Sequence, residues 1–161
     1  MAITDTTYQN LTSEVRVLQI GTLQAIPNRI TASEELADGM FVMLGADQTF
    51  EIPATNHAAT HLVLKSGEPR LTAIEIANNM GRVLEGEPVM ALGSGSGTVS
   101  IPFAQSITSG EEITVNVYGY AVPRSGSACY VVGVANEDVT VQIGAVAFGE
   151  AVLSLPATYR P

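Results

Sequence analysis

Alternation with a period of two constrains this chain more than any other feature. In "ITVNVYGYAV", residues 113–122, the side chains of Ile113, Val115 and Val117 fall on one face of an extended chain, and those of Thr114, Asn116 and Tyr118 on the other. "VTVQIGAVAF", residues 139–148, repeats the pattern with Val139, Val141, Ile143 and Ala145. Successive side chains of a strand point to opposite faces, so this pattern builds strands with one face in a core. Further strands are expected at 15–20, 40–44, 49–52, 61–65, 89–92, 98–103, 130–135 and 151–155. Turn signals separate them: "GADQ", "KSGEP", "GSGSG", "TSGEE", "PRSGS" and "ANED". Short strands punctuated in this way predict an all-β fold, an antiparallel β-barrel or sandwich, with at most one or two short helices. Residues 70–86, "RLTAIEIANNMGRVLEG", read either as a short helix, through Leu71, Ile74, Ala77 and Met80, or as a hairpin turning at "NNMG".

One phrase occurs twice. "GMFVMLGADQTFEIP" at 39–53 is echoed by "GEPVMALGSGSGTVSIP" at 86–102. Each opens with Gly, places Val-Met in an apolar run, reaches a Gly-bearing turn and returns as a strand ending in Ile-Pro. This is read as a repeated hairpin, arising from two similar halves of one barrel or from one turn idiom used twice. Two units are too few for a solenoid.

The 161 residues suffice for one well-buried core, assigned to 14–155. Residues 1–13 are polar and aperiodic, and 156–161, "PATYRP", carry two prolines that disfavour strand pairing; both are read as extended arms. Charged residues make up only 14% of the chain and hydrophobic residues 46%, against roughly 25% charged in ordinary soluble domains. Such a chain has little polar material to coat a monomer, which predicts a homo-oligomer, as trimer or dimer, or a lattice partner. The net charge is −9, with Lys65 the only lysine and six arginines spread singly. Nucleic-acid binding needs clustered cations to displace phosphate counterions, so no nucleic-acid partner is expected. No stretch approaches the ~18 apolar residues of a membrane span, and "MAITDTTYQN" has neither a basic nor an apolar signal region. The expectation is a protein made in a cytoplasm, with no membrane partner.

No constellation announces a reaction. His57 and His61 in "NHAATH" are four apart, but His61 opens a strand-like "HLVLK". In a strand that spacing separates side chains by ~13 Å, too far for one metal ion, so both are read as exposed loop histidines. "GSGSG" lacks the Lys-Ser/Thr and the helix of a phosphate loop and is read as a flexible hairpin tip. The acidic pairs at 34–35, 111–112 and 137–138 fall in turn regions and are read as solvated. Cys129, the only cysteine, permits no intrachain disulfide and is read as a buried structural thiol in "SACYVVGVA". The expectation is a protein that is not an enzyme, with no catalytic residues, cofactor or metal.

The polar N-terminal arm, "ITASEELADGMFVMLGADQTFEIPA", the paired Gly-Met and Gly-Val hairpins, the Gly/Ala/Val/Thr-rich body and the acidic, cysteine-poor composition resemble small virion proteins of tailed bacteriophages. The resemblance is greatest to the head decoration, or cement, proteins that bind the outside of the capsid. It covers most of the chain as style and rests on no diagnostic motif. It implies a β-barrel or β-tulip-like domain, self-association, the major capsid protein as partner, a place on the outer capsid surface of the virion, and attachment by an extended arm. Interface anchors are then sought in the arms, at Tyr8 and Leu11 in the first and at Tyr159 and Arg160 in the second, because Tyr and Arg are enriched among interface anchors. A phage tail-tube or other tail structural protein shares the same β-rich, self-associating character. A carbohydrate-binding or adhesin β module is a further alternative, although the chain has no Trp and aromatics reach only 6%.

Overall fold

The computed structural model describes residues 16–19, 21–54, 58–64, 82–126 and 128–161, with only the backbone described at 16–19 and 25–29. The fold is all-β, and no helix occurs among the described residues. The strands are β1 (Arg16–Gln19), β2 (Gln24–Thr31), β3 (Leu36–Ala37), β4 (Phe41–Leu44), β5 (Phe50–Glu51), β6 (His61–Val63), β7 (Arg82–Val83), β8 (Pro88–Gly93), β9 (Gly95–Phe103), β10 (Glu112–Val115), β11 (Ala121–Pro123), β12 (Cys129–Ala135) and β13 (Ala147–Arg160). Residues 1–13, with Tyr8 and Leu11, lie outside the described residues, as do His57 and most of the ambiguous 70–86 segment.

Strands β9, β13, β12, β10 and β11 form a nearly closed barrel. Antiparallel ladders join β9 to β13, β13 to β12, β12 to β10 and β10 to β11, and a single parallel pair, Ala121 with Phe103, spans the remaining seam. β1 adds to β9 beside that seam. Alternation explains the wall: Ala151, Leu153 and Leu155 of β13 are buried, whereas Val152, Ser154 and Pro156 are exposed. Val99, Ile101 and Phe103 of β9, Ile113 of β10 and Val132 of β12 fill the interior with them. Each such aliphatic or aromatic side chain contributes about 1.5–3 kcal/mol when fully buried.

The second sheet has the order β2, β8, β6, β4, β5, and its ends approach through the parallel bridge Ala32–Phe50. Its faces serve two cores. Phe41, Leu62 and Leu92, which pair in one row, join the barrel core. Val42, Val63 and Ala91 point the other way, into a second cluster with Leu36, Ala37, Met40, Phe50 and Val83. The short β3–β7 ribbon, pairing Leu36 with Val83 and Ala37 with Arg82, supplies side chains to that second cluster.

Four local expectations are corrected. First, the alternating run 113–122 is not one strand but two, because Asn116 turns the chain. Its side-chain Oδ1 accepts hydrogen bonds from the backbone N–H groups of Tyr118 (2.9 Å) and Tyr120 (3.0 Å), and Gly119 takes φ +86. Second, the echo is a hairpin only in its first copy, where Gly45 to Thr49 close the β4–β5 turn. In the second copy β8 pairs in the sheet and β9 in the barrel, so the chain crosses between them at Ser94. "GSGSG" is accordingly not a flexible tip: Gly95, Ser96 and Gly97 are paired with Leu155, Ser154 and Leu153.

Third, residues 139–148 enter β13 only at Ala147, with Val139 held to Ile107 by an isolated bridge. Fourth, residues 156–160 of the expected C-terminal arm are the end of β13. Thr158, Tyr159 and Arg160 pair with Val131, Tyr130 and Cys129. Pro156 is tolerated because it falls in the gap between Leu153 and Thr158 where the ladder to β12 is interrupted, so its missing N–H removes no ladder bond.

Candidate interaction surface

The two described anchor residues of the sequence reading stand together at the end of β13. Tyr159 is 55% exposed and lies directly opposite Tyr130, the two rings meeting edge to face with centroids 5.5 Å apart. Arg160 reaches Glu112 of β10, with Nε 3.7 Å from Oε1. The other oxygen of Glu112 accepts a hydrogen bond from Arg124 Nη1 at 2.9 Å, and Arg124 Nη2 donates to the Pro161 carbonyl at 2.9 Å. The last residues are therefore tied to the body of the chain by main-chain pairing, a ring contact and a shared carboxylate. Glu112 is a corrected reading, since it is half-buried between two guanidinium groups rather than a solvated turn residue. Glu35 is corrected likewise: its Oε1 accepts from Arg82 Nη1 at 2.8 Å, and Arg82 is buried.

A shallow cavity of about 30 Å³ opens beside Tyr130, lined in part by Cys129, Thr114, Ala59 and Ala157. That is room for about one water molecule. Cys129 is half-buried at this cavity, not sealed in the core as expected.

Apolar side chains also face outward from the barrel. Val134 and Val152 are cross-strand partners on β12 and β13, 38% and 43% exposed. Glu112 of β10 lies opposite Val134, and Thr98 of β9 lies opposite Val152, so the valines form the middle of a four-strand row. Val117 and Tyr118 are exposed on the Asn116 turn. The turn is rigid at its base as well: Phe41 N–H donates to the Gly119 carbonyl at 2.7 Å, tying it to β4. Val134 and Val152 were missed from sequence and Val117 was read as a core residue, although a signal exists. An uninterrupted apolar run in a strand, such as Ala151–Val152–Leu153, must turn every second side chain away from the core.

Displaced titrations occur inside the second cluster, at its edge and on an exposed turn. Tyr120, carried by the β10–β11 turn, is buried, and its hydroxyl has no hydrogen-bond partner among the described residues. Burial pushes its phenol up to about 12, with the Arg82 charge opposing and the Asp38 charge adding to the rise. His61 is half-buried in β6 rather than exposed in a loop, and burial holds its imidazole below the ordinary histidine value. Asp47, on the β4–β5 turn, is held below the usual carboxylate range by the Thr49 hydroxyl, 2.6 Å away, and by the Thr49 N–H.

The described residues offer surfaces for contact: an exposed valine pair on the barrel wall, an aromatic turn, and a tyrosine pair beside two arginines. No protein-family model matches this chain, and no curated protein matches it either.

Proposed function

We propose that this chain is a non-enzymatic structural protein that docks as a homo-oligomer on the outside of a tailed-phage head and stabilises the shell. The observation that carries the reading is the exposed Val134–Val152 pair on the outer face of a nearly closed barrel, flanked in its row by Glu112 and Thr98. A closed sheet presents such a pair without reorganising, so little ordering entropy opposes association. The low charge of the chain, 14% of its residues, suits a surface that is covered in an assembly. The phage-head setting itself comes from the resemblance in sequence style, and residues 1–13, with Tyr8 and Leu11, are assigned a second contact on the same ground.

Sedimentation with shells that lack the protein tests this. The full chain co-sediments and delays heat disruption of the shell, whereas Val152→Asp binds at least tenfold more weakly while its circular dichroism stays unchanged. Failure of the full chain to bind shells and a strict monomer in light scattering would together reject the reading.

A further inference from the structure

The chain leaves the second sheet and enters the barrel at one corner, Gly93–Ser94–Gly95. Ser94 there has φ +53, in the left-handed region that L side chains rarely adopt. Gly93, the last residue of β8, is buried between Gln24 of β2 and His61 of β6. It must be glycine because the His61 ring lies over it. A Cβ at this position would stand 2.5 Å from His61 Cδ2, 3.0 Å from its Nε2 and 2.8 Å from the Thr60 carbonyl oxygen. The ring also meets Phe50 edge to face, with centroids 5.1 Å apart. Phe50 is fully buried, so the imidazole closes the rim of the second cluster over it.

His61 Nδ1 lies 2.8 Å from Thr60 Oγ1. In the neutral tautomer whose Nδ1–H donates to that oxygen, the ring's one proton is used there. Nε2 is then the bare nitrogen, and it is buried with no partner among the described residues. A second proton would place a charge and an unmatched donor at that atom.

No carboxylate among the described residues faces the ring to offset this. β4 presents Val42, β8 presents Gly93 with Gln24 of β2 beyond it, and β5 presents Phe50. Glu51 follows Phe50 and so points to the opposite face, where its carboxylate lies beside Gly45. Asp47 is engaged by Thr49. We propose that His61 is an acid-operated latch: neutral, it seals Phe50 and holds the Gly93–Gly95 corner, and protonated on Nε2 it swings out and frees that corner.

The direction in pH follows. Burial lowers the folded-state pKa below the ordinary 6.5, so the unfolded chain takes up the proton first. The stabilisation is complete above 6.5 and is lost as pH falls toward the folded-state value. One proton changes the folding equilibrium constant by at most about tenfold per pH unit.

Urea unfolding from about pH 7.5 to 5.5, for the wild type, His61→Gln and His57→Gln, tests the latch. The wild type and His57→Gln should lose stability together as pH falls, and His61→Gln should lose most of that dependence. An NMR titration of the folded wild type gives a second measurement if His61→Gln does not fold. The His61 ring should then titrate below 6.5, with the Gly93, Ser94 and Gly95 amides shifting at the same midpoint. A ring that titrates at or above 6.5, corner amides that do not respond, or a His61→Gln variant as pH-sensitive as the wild type overturns the proposal.

Discussion

The barrel and the second sheet are made from the same kinds of residue, yet they are held differently. The β9–β13 ladder runs through nine residue pairs, from Ala147–Phe103 to Leu155–Gly95. The longest ladder of the second sheet, β2–β8, has five pairs broken by a register shift, and β6 meets β8 through three and β4 through two. The barrel has short links as well, where β10 meets β11 and β12 and at the Ala121–Phe103 seam, so the long β9–β13 ladder is what sets it apart. The interiors differ too. The barrel core is apolar, whereas the second cluster admits the Tyr120 hydroxyl and borders Arg82, Asp38 and His61. Buried polar groups stabilise only while their partners stay in place. The second sheet and its cluster, which hold His61 and Tyr120, are therefore expected to loosen before the barrel.

Mutations at the two cores break this comparison most directly. Phe103→Ala removes a fully buried ring at the barrel seam, and a loss of about 3–5 kcal/mol is expected in urea unfolding. Glu35→Ala removes the carboxylate bound to buried Arg82, and because Glu35 itself is 27% exposed a smaller loss of about 1–2 kcal/mol is expected. A much smaller loss for Phe103→Ala than for Glu35→Ala would invert the ranking of the two regions.

Deleting residues 156–161 removes the pairs to Cys129, Tyr130 and Val131 and the Tyr130–Tyr159 contact. A loss of about 2 kcal/mol is expected, several net hydrogen bonds' worth, and unchanged thermal stability would mean that the segment is an arm after all. Tyr120→Phe is the mildest change. With no partner for the buried hydroxyl among the described residues, its removal should stabilise the fold at neutral pH by about 1 kcal/mol. The contrast comes in alkali. The unfolded tyrosine ionises near 10 while Tyr120 is raised to about 12, so the wild type loses stability as pH rises between these values and Tyr120→Phe is spared that part.

Parts of the barrel were legible because alternation survives wherever a strand has one wet face, as around Ile101 in β9 and Leu153 in β13. The strands around Val42, Leu62 and Val89 belong to the second sheet, whose faces serve two cores, and were legible as short apolar runs bounded by turn signals. β2 was not anticipated, because Pro27 and Asn28 interrupt "QAIPNRIT"; the structure absorbs them in a register shift between Ile26 and Ile30. The Asn116 turn was hidden by Val117 and Tyr118, apolar residues that continue the strand pattern but point into solvent. Of the proposed anchors, Tyr159 and Arg160 do lie together at the surface, but as part of a strand. The Val134–Val152 pair depends on a register between β12 and β13 with an irregularity between Val131 and Gly133, which local sequence does not specify.

The division between the two regions is tested most directly by native-state amide hydrogen exchange at neutral pH. Amides of β9 and β13 should exchange only through global unfolding, with protection that matches the full unfolding free energy. Those of β4 and β6 should exchange earlier, through a partial opening that leaves the barrel intact. Equal protection in the two regions, with a single shared dependence on denaturant, would contradict the account.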